Sequence, residues 1–390
     1  MLPVLTNAAS ILAIQLFALV TLVPTDFGSF SIQYLLFAFA ASLSLSLISE
    51  AWIRADLRGG GRAGWDEYSS ATVYFALAAG GVTLVASLLV DELRPVAALG
   101  AVAVAAATYR GAARYYSVRM REPRGVFVGD LAGLLVAVAL WVPLFASGNR
   151  ALWMMTLVWA AASLLSAALS KPPRMLPPST LRVWRRNHAS EIRPLLRDSL
   201  LMDAGAIGTP YLLAPVLGLN DFGIYRAISN VAAPVRLVLN PLRPQLASAP
   251  LASQRSWRRI FAVGAISLGF GGGAYFALIM VGSFGLKLGS LTDIVTFAVP
   301  AAIFVAASFL GQYYMIVARG RLEERRLLAG RLFQTVIVII FPVAGVLTAG
   351  LPGAIWGYAS ATAIWALMWL FLIIGGRQVG LTRLPGQDDS

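Results

Sequence analysis

The feature that most constrains this chain is a succession of long apolar runs. A bilayer core about 30 Å thick is crossed by a helix of about 20 mostly apolar residues. Twelve such runs can be read along the 390 residues: 4–23, 30–49, 72–90, 95–109, 126–147, 151–170, 199–218, 222–241, 260–282, 291–317, 332–350 and 353–375. The fourth is short, and its helix is expected to continue toward Tyr116. Only 13% of the residues are charged, against about 25% in an ordinary soluble domain, so the chain lacks the means to build a water-facing surface. The runs are rich in Gly, Ala and Ser, as in "FALAAGGVTLVAS" and "GAISLGFGGGAYF", and small residues let membrane helices approach closely. Strand-like alternation is absent, which argues against an outer-membrane barrel. The expected fold class is an all-α polytopic membrane protein with twelve transmembrane helices. The first run has no basic segment before it and no A-x-A site after it, so it reads as a retained helix rather than a cleaved signal peptide.

A net charge of +13 invites a nucleic-acid reading, but the distribution of the charge argues otherwise. Numbering the connections alternately from a cytoplasmic N-terminus puts 27 of the 31 basic residues on the inside. Only Arg94, Arg150, Arg226 and Lys287 fall on the other side. This is the positive-inside pattern. It predicts a multi-pass protein of the bacterial plasma membrane with both termini cytoplasmic, in contact with membrane lipids and with no nucleic-acid partner. Cysteine is absent and His188 is the single histidine. Disulfides, thiol chemistry and clustered His/Cys metal sites are thereby excluded, and neither a cofactor nor a metal is expected.

The longest hydrophilic stretch, 171–198, holds five prolines and seven basic residues. It reads as a cytoplasmic linker between a six-helix bundle at 1–170 and a second at 199–375, with a short cytoplasmic tail at 376–390. The tips of the first and seventh helices support this division. One reads "LVPTDFGSFSIQ" and the other "LGLNDFGIYRAI", so that Asp26-Phe27-Gly28 matches Asp221-Phe222-Gly223 at an offset of 195 residues. Each copy alone is explained by a helix cap from Thr25 or Asp26, and from Asn220 or Asp221, beside a turn-forming glycine. Recurrence at the same place in each half points to duplication. Six spans per half give the two copies the same topology, hence a parallel internal repeat.

A hairpin of the "LGxxDFGxY" kind after the first and seventh spans resembles the polysaccharide-exporter branch of the multidrug/oligosaccharidyl-lipid/polysaccharide transporter superfamily. That resemblance implies a flippase, not an enzyme. It would move an anionic oligosaccharide linked to a polyprenyl diphosphate from the cytoplasmic to the outer leaflet by alternating access, in concert with proteins of cell-envelope glycan biosynthesis. A major-facilitator permease shares the six-plus-six count, and a multidrug exporter of the same superfamily is a closer variant. A polyprenyl-dependent glycosyltransferase, polymerase or ligase is disfavoured, because the outside connections are only a few residues long and site chemistry must carry such an activity.

Ionisable residues within spans are costly and are functional candidates by default. Asp130, Asp203 and Arg236 lie about one turn in from the cytoplasmic end. Asp203 and Arg236 read either as an interhelical salt bridge or as a coupling acid and part of an inner gate; Asp130 reads as a helix cap or as a member of the same machinery. Arg226 is the sharpest candidate. Its counterpart at the 195-residue offset is Ser31, so the cation breaks the repeat, and Ser229 and Asn230 share its helix face. A guanidinium makes paired, charge-assisted bonds to a diphosphate, and the resemblance implies a cationic cavity; the competing reading is that Arg226 snorkels to the headgroups. Tyr225 stands beside it in the motif. Polar residues on the first two helices, among them Gln15, Gln33, Ser42 and Ser46, either line a cavity or hydrogen-bond between helices. Tyr109, Tyr115, Tyr116, Tyr313 and Tyr314 are expected in an interfacial belt, and Trp356, Trp365 and Trp369 facing lipid.

Overall fold

The structure is a computed structural model that describes residues 2–57, 64–248 and 250–375. Within these, helix dominates and there is no strand. The first half comprises α1 (Leu2–Thr21), α2 (Pro24–Ser44), α3 (Glu50–Leu57), α4 (Trp65–Leu88), α5 (Ala97–Arg119), α6 (Pro123–Ala146) and α7 (Leu152–Ala168). A π-helical turn, Leu45–Ser49, joins α2 and α3 into one rod. The second half comprises α8 (Ser179–Asp203), α9 (Thr209–Val231), α10 (Ala233–Ser248), α11 (Leu251–Gln254), α12 (Trp257–Ser283), α13 (Ser290–Asp293), α14 (Ala298–Arg321) and α15 (Glu324–Gly375). A second π-turn, Ala204–Gly208, lies between α8 and α9.

Eight helical runs are long and apolar enough to cross a membrane, with Ala9–Thr21 and Leu152–Ala168 as shorter apolar helices. Two of the long runs cross twice. α9 breaks at Gly218 (φ 71°, ψ 166°), and α15 breaks at Ala349 and Gly350. The left-handed φ at Gly218 and Gly350 is one that a side chain resists, and there the backbone reverses. Twelve spanning segments result, in two bundles of six.

The bundles repeat one packing scheme. α4 packs on α5, α6 on α7 and α1 on α6; in the second half α12 packs on α14 and α9 on α15, and the two arms of α15 meet at Gly345 against Gly353 and at Gly330 against Trp369. Even the small-residue contacts recur. A Cβ at Gly80 would lie 3.0 Å from the Ala101 carbonyl oxygen and 3.0 Å from the Ala105 methyl; at Gly271 the distances to Ala302 and Ala306 would be 2.8 and 2.9 Å. Helices in lipid associate by such close packing rather than by hydrophobic burial.

The two hairpins meet at one end of the molecule, called here the hairpin end; the arginine-rich connections form the opposite, basic end. α2 crosses α9 with Gly28 against Gly223. A Cβ at Gly223 would stand 1.9 Å from the Pro24 carbonyl oxygen, and one at Gly28 2.3 Å from that of Leu219. Phe27 and Phe222 are fully buried beside them. The glycines thus serve a backbone-to-backbone crossing between the halves more than a turn. In the first copy the expected side-chain cap does not form. The N-cap of α2 is Val23, followed by Pro24 at the first position, with no side-chain cap bond; proline supplies the helix start unaided. The Asp26 carboxylate instead faces the backbone N–H of Leu152, where α7 begins. A second clasp joins the halves nearby: the Leu22 carbonyl accepts from the Ser290 N–H at 2.8 Å and from the Ser290 hydroxyl at 2.9 Å.

The segment read as a linker is tied down along its length. Tyr109 Oη donates to the Lys171 carbonyl and Trp65 Nε1 to that of Pro172. The N–H groups of Arg174 and Leu176 donate to the hydroxyls of Ser69 and Ser70, and Tyr74 Oη donates to the Leu176 carbonyl. From residue 179 the chain is helical, so the seventh span begins as the amphipathic α8 lying across the first bundle. Trp184 and His188 stack on each other, Trp184 meets Tyr68 edge-on, and Trp184 Nε1 donates to the Leu47 carbonyl. Most of the expected tyrosine belt lies inside: Tyr109, Tyr116, Tyr313 and Tyr314 are buried, because the helix ends that carry them are covered by protein, while Tyr115 is half-buried. Trp365 and Trp369 also turn inward, Trp369 donating to Gln334 Oε1, whereas Trp356 is 46% exposed. The tail at 376–390 lies outside the described residues.

Candidate functional site: a cavity lined by arginines

A cavity of about 470 Å³ lies between the halves, walled mainly by the second. α1 and α2 contribute Gln15, Tyr34, Leu35 and Ala38. The π-turn contributes Gly205, Ala206 and Ile207. α9 and α10 contribute Arg226, Ser229 and Arg236; α14 contributes Phe304, Ser308 and Gln312; and α15 contributes Arg331, Gln334, Thr335, Tyr358, Thr362 and Trp365. Three guanidiniums face this space and none of its lining residues is acidic. The closed end lies toward the hairpins, under Tyr225, Tyr358 and Phe304. Tyr358 stacks on Phe304 at 4.5 Å and meets Tyr225 at 5.3 Å. Beyond these rings stand the Gly28–Gly223 crossing and the Leu22–Ser290 clasp. The cavity then extends past Gln312 and Thr335 to Arg236 and Arg331, toward the basic end.

The break at Gly218 sets the depth of Arg226. The second arm of α9 resumes at Leu219, so Arg226 stands seven residues along it, about 10 Å from the break. Its side chain lines the cavity. Its Nε is buried and has no hydrogen-bond partner. A buried donor left unmade costs about 1–3 kcal/mol, more when charged; here the cost is borne at the wall of a cavity, where a ligand oxygen can repay it.

The structure divides the other sequence-selected residues. Gln15 and Ser229 line the same cavity as Arg226, and Ser229 Oγ donates to the Arg226 carbonyl at 2.7 Å. Tyr225 and Asn230 are buried beside it without lining it. Gln33 lies elsewhere: it is fully buried inside the first bundle, its Nε2 donating to Ser87 Oγ at 3.1 Å, against Gly100. Its helix turns that face toward α4 and α5, away from the second half. Asp203 and Arg236 form no ion pair. The Asp203 carboxylate faces Ser42 of α2 and keeps one buried oxygen without a partner, while Arg236 projects into the cavity; the π-turn after Asp203 swings the two apart. Asp130 caps nothing. It is buried between α5 and α6, bonded to Arg110 Nη2 at 2.7 Å and Nε at 3.1 Å, and to Arg114 Nε at 3.1 Å.

Sequence reasoning missed Arg331, Tyr34, Gln312, Gln334 and Tyr358. Arg331 counts as a loop cation if the eleventh span starts at 332, but α15 begins at Glu324 and carries it inward. The signal was a helical stripe: Arg331, Gln334 and Thr335 recur on one face, as do Ser308 and Gln312, and Tyr358, Thr362 and Trp365.

No protein-family model matches the chain, and no curated protein matches it in sequence. Solved structures do match its fold. An inward-facing conformation of a multidrug resistance MATE family transporter of the MOP superfamily aligns with a TM-score of 0.63 at 12% identity, covering 95% of this chain and 93% of that one. An outward-facing conformation of such a transporter gives 0.53 at 13% identity over the same shares. MATE in the straight conformation gives 0.51 at 12% identity, covering 96% and 92%. The chain is therefore a multi-pass membrane protein with the two-bundle, twelve-helix fold of the MATE transporters. At 12–13% identity these neighbours show a shared fold, the one expected from the superfamily that the hairpin motif resembles. They do not single out its polysaccharide-exporter branch.

Proposed function

We propose that the chain is an alternating-access transporter that exports amphipathic small molecules carrying negative charge. The observation that carries this reading is the cavity between the halves, sealed at the hairpin end and lined by Arg226, Arg236 and Arg331 with no acid among its lining residues. A cationic drug would meet three like charges there, whereas an anion would meet three forks able to bind it in pairs of bonds. The basic end faces the cytoplasm by the positive-inside rule, so the cavity, which extends toward that end, receives its cargo from the inside. The higher score against the inward-facing neighbour supports this state. Arg226 holds the anionic group at the closed end, with Gln15 and Ser229 beside it, and Tyr225 and Asn230 brace its helix. Asp203, whose buried oxygen has no partner, serves as the coupling acid; Arg236 guards the mouth. Asp130, held by two arginines, takes no part.

The same arginine lining favours a second reading, a flippase for a polyprenyl-diphosphate oligosaccharide, whose headgroup is an anion of the kind the forks suit. Proteoliposome transport separates the two. Three fluorescent cargoes are compared: an anionic amphiphile, a cationic dye and a labelled polyprenyl-diphosphate glycan. The proposal expects the first to move. Arg226→Ala should abolish its movement at normal protein levels, Arg226→Lys should retain part, and Asp203→Asn should bind cargo but lose response to an ion gradient. Movement of the glycan alone selects the flippase. Full activity of Arg226→Ala, or preference for the cation, overturns both.

A further inference from the structure

Charge and amphipathic character leave the shape of the cargo open, and the wall of the arginine-lined cavity constrains it. Four of the lining side chains carry rings: Tyr34 from the first half, and Phe304, Tyr358 and Trp365 from the second. Each is held in place by packing. Tyr34 stands against Phe37 at 5.4 Å and Trp159 at 5.5 Å. The Trp365 ring lies so close on Gly311 that a Cβ there would stand 2.2 Å from it. Phe304 and Tyr358 stack on each other at 4.5 Å with their planes 28° apart, and Tyr225 backs Tyr358 at 5.3 Å. Rings wedged in this way keep one orientation and present fixed, flat surfaces. The charges stand at the same depth as the rings. Tyr34 and Tyr358, one from each half, each lie close to both Arg226 and Arg236, and Arg226 is also near Tyr211 and Tyr225. The Arg226 Nε that lacks a partner therefore stands among rings, in a cavity with no acid in its lining.

We propose that the cargo is an aromatic anion, a carboxylate or sulfonate borne directly on a planar ring system; this rests on the reading of the cavity as an anion-export site. An oxyanion taken by Arg226 brings the atoms next to it against Tyr34, Tyr358 and Phe304, so the part of the molecule nearest the charge has to match those faces. A planar ring matches them best. An aromatic pair in offset or edge-to-face contact is worth about 2- to 13-fold in affinity beyond the area it buries. A ring also has no torsions to freeze, whereas every rotor of an alkyl chain that is ordered on binding lowers affinity. At 4.5 Å the Phe304 and Tyr358 rings are already in contact, so the cargo ring meets the pair from its cavity side rather than entering between them. The cavity volume of about 470 Å³ falls in the range of about 300–1,000 Å³ that encloses a drug-sized ligand, which suits a few fused rings bearing one acid.

Calorimetric titration of the full-length protein in detergent provides the test. The probes are naphthoate; decahydronaphthoate, which keeps the carbon skeleton and the charge but has no flat π-face; and naphthylmethylammonium, which keeps the rings and reverses the charge. Naphthoate is expected to bind about fivefold or more tightly than decahydronaphthoate, and naphthylmethylammonium not to bind. Phe304→Leu keeps an apolar wall without the ring, and should weaken naphthoate about 2- to 13-fold while leaving decahydronaphthoate unchanged. Arg226→Ala should abolish binding of both acids. Equal affinity for the two acids in the wild type, with both lost in Arg226→Ala, overturns the aromatic inference and leaves the anion reading standing; that comparison needs no variant of the ring wall to fold. A loss in Phe304→Leu shared equally by the two acids overturns it as well. Preference for naphthylmethylammonium, or naphthoate bound by Arg226→Ala as tightly as by the wild type, overturns the anion reading itself.

Discussion

Gly223→Ala tests the idea that the hairpin end is a gate. The added Cβ would lie 1.9 Å from the Pro24 carbonyl oxygen and 2.7 Å from its carbon, where ordinary contact begins at 3.4 Å. The obstacle is backbone, so no side chain can swing aside, and α2 and α9 must part by about 1.5 Å. Overpacking of this kind costs about 1–3 kcal/mol. The cost falls only on the closed state, because an open hairpin end has no such crossing. A bias of that size shifts a two-state equilibrium about 5- to 150-fold. The chain contains no cysteine, so Thr25→Cys and Asn220→Cys, at the exposed tips of the two hairpins, can carry a pair of spin labels without further engineering. Pulsed electron paramagnetic resonance should find one short distance in the parent and a second, longer population in Gly223→Ala. Gly28→Ala, with its Cβ 2.3 Å from the Leu219 oxygen, should act likewise. The double variant should add little, because one separation relieves both clashes. An unchanged distance distribution in a folded Gly223→Ala protein would refute the reasoning.

Three further outcomes are expected. Asp130→Ala leaves Arg110 and Arg114 buried without their shared anion and should cost about 3–5 kcal/mol, read as a lowered melting temperature; a drop typical of a surface substitution would show that the triad carries no weight. Arg121 holds a left-handed φ of 59° at the end of α5, where an L-residue costs about 1–2 kcal/mol, so Arg121→Gly should raise stability by about 1 kcal/mol in reversible unfolding and Arg121→Ala should not. Reversing Asp203 and Arg236 together should not rescue either single reversal in a transport assay, because the two form no ion pair; recovery in the double variant would restore the salt-bridge reading.

The number of spans was legible because hydrophobic run length maps directly onto bilayer thickness, and the repeat because Asp-Phe-Gly recurs at half the chain. What the run lengths hid was where helices start and stop. Helix formation ignores the boundary between apolar and polar sequence. α8 therefore continues through a stretch whose arginines and prolines read as linker, and α15 carries Arg331 into the protein from what read as a loop. Arg226 was found because it broke the internal symmetry. Gln33 misled because a polar residue in a span has two satisfactory fates, a cavity wall or a buried hydrogen bond, and only the rotation of α2 decides between them. Asp130 misled in a similar way: its partners, Arg110 and Arg114, lie 20 and 16 residues away on the preceding helix, and only the packing of the two helices brings them together. The glycines of the motif were assigned to the turn, although their main service is to a contact between chain segments almost 200 residues apart.

The tied segment after α7 also sets an order of assembly. Its receiving groups, Trp65, Ser69, Ser70, Tyr74 and Tyr109, all belong to helices synthesised before it, as do Trp52, Tyr68 and Tyr116, whose aromatic cluster Trp184 joins. A chain that emerges N-terminus first therefore lays the start of its second bundle on a surface already complete, and that bundle grows from a fixed register. The opposite end has to wait. The Leu22 carbonyl meets its partner in Ser290, 268 residues later. One side of the protein is thus fastened midway through synthesis, and the other only when translation is well into the second half.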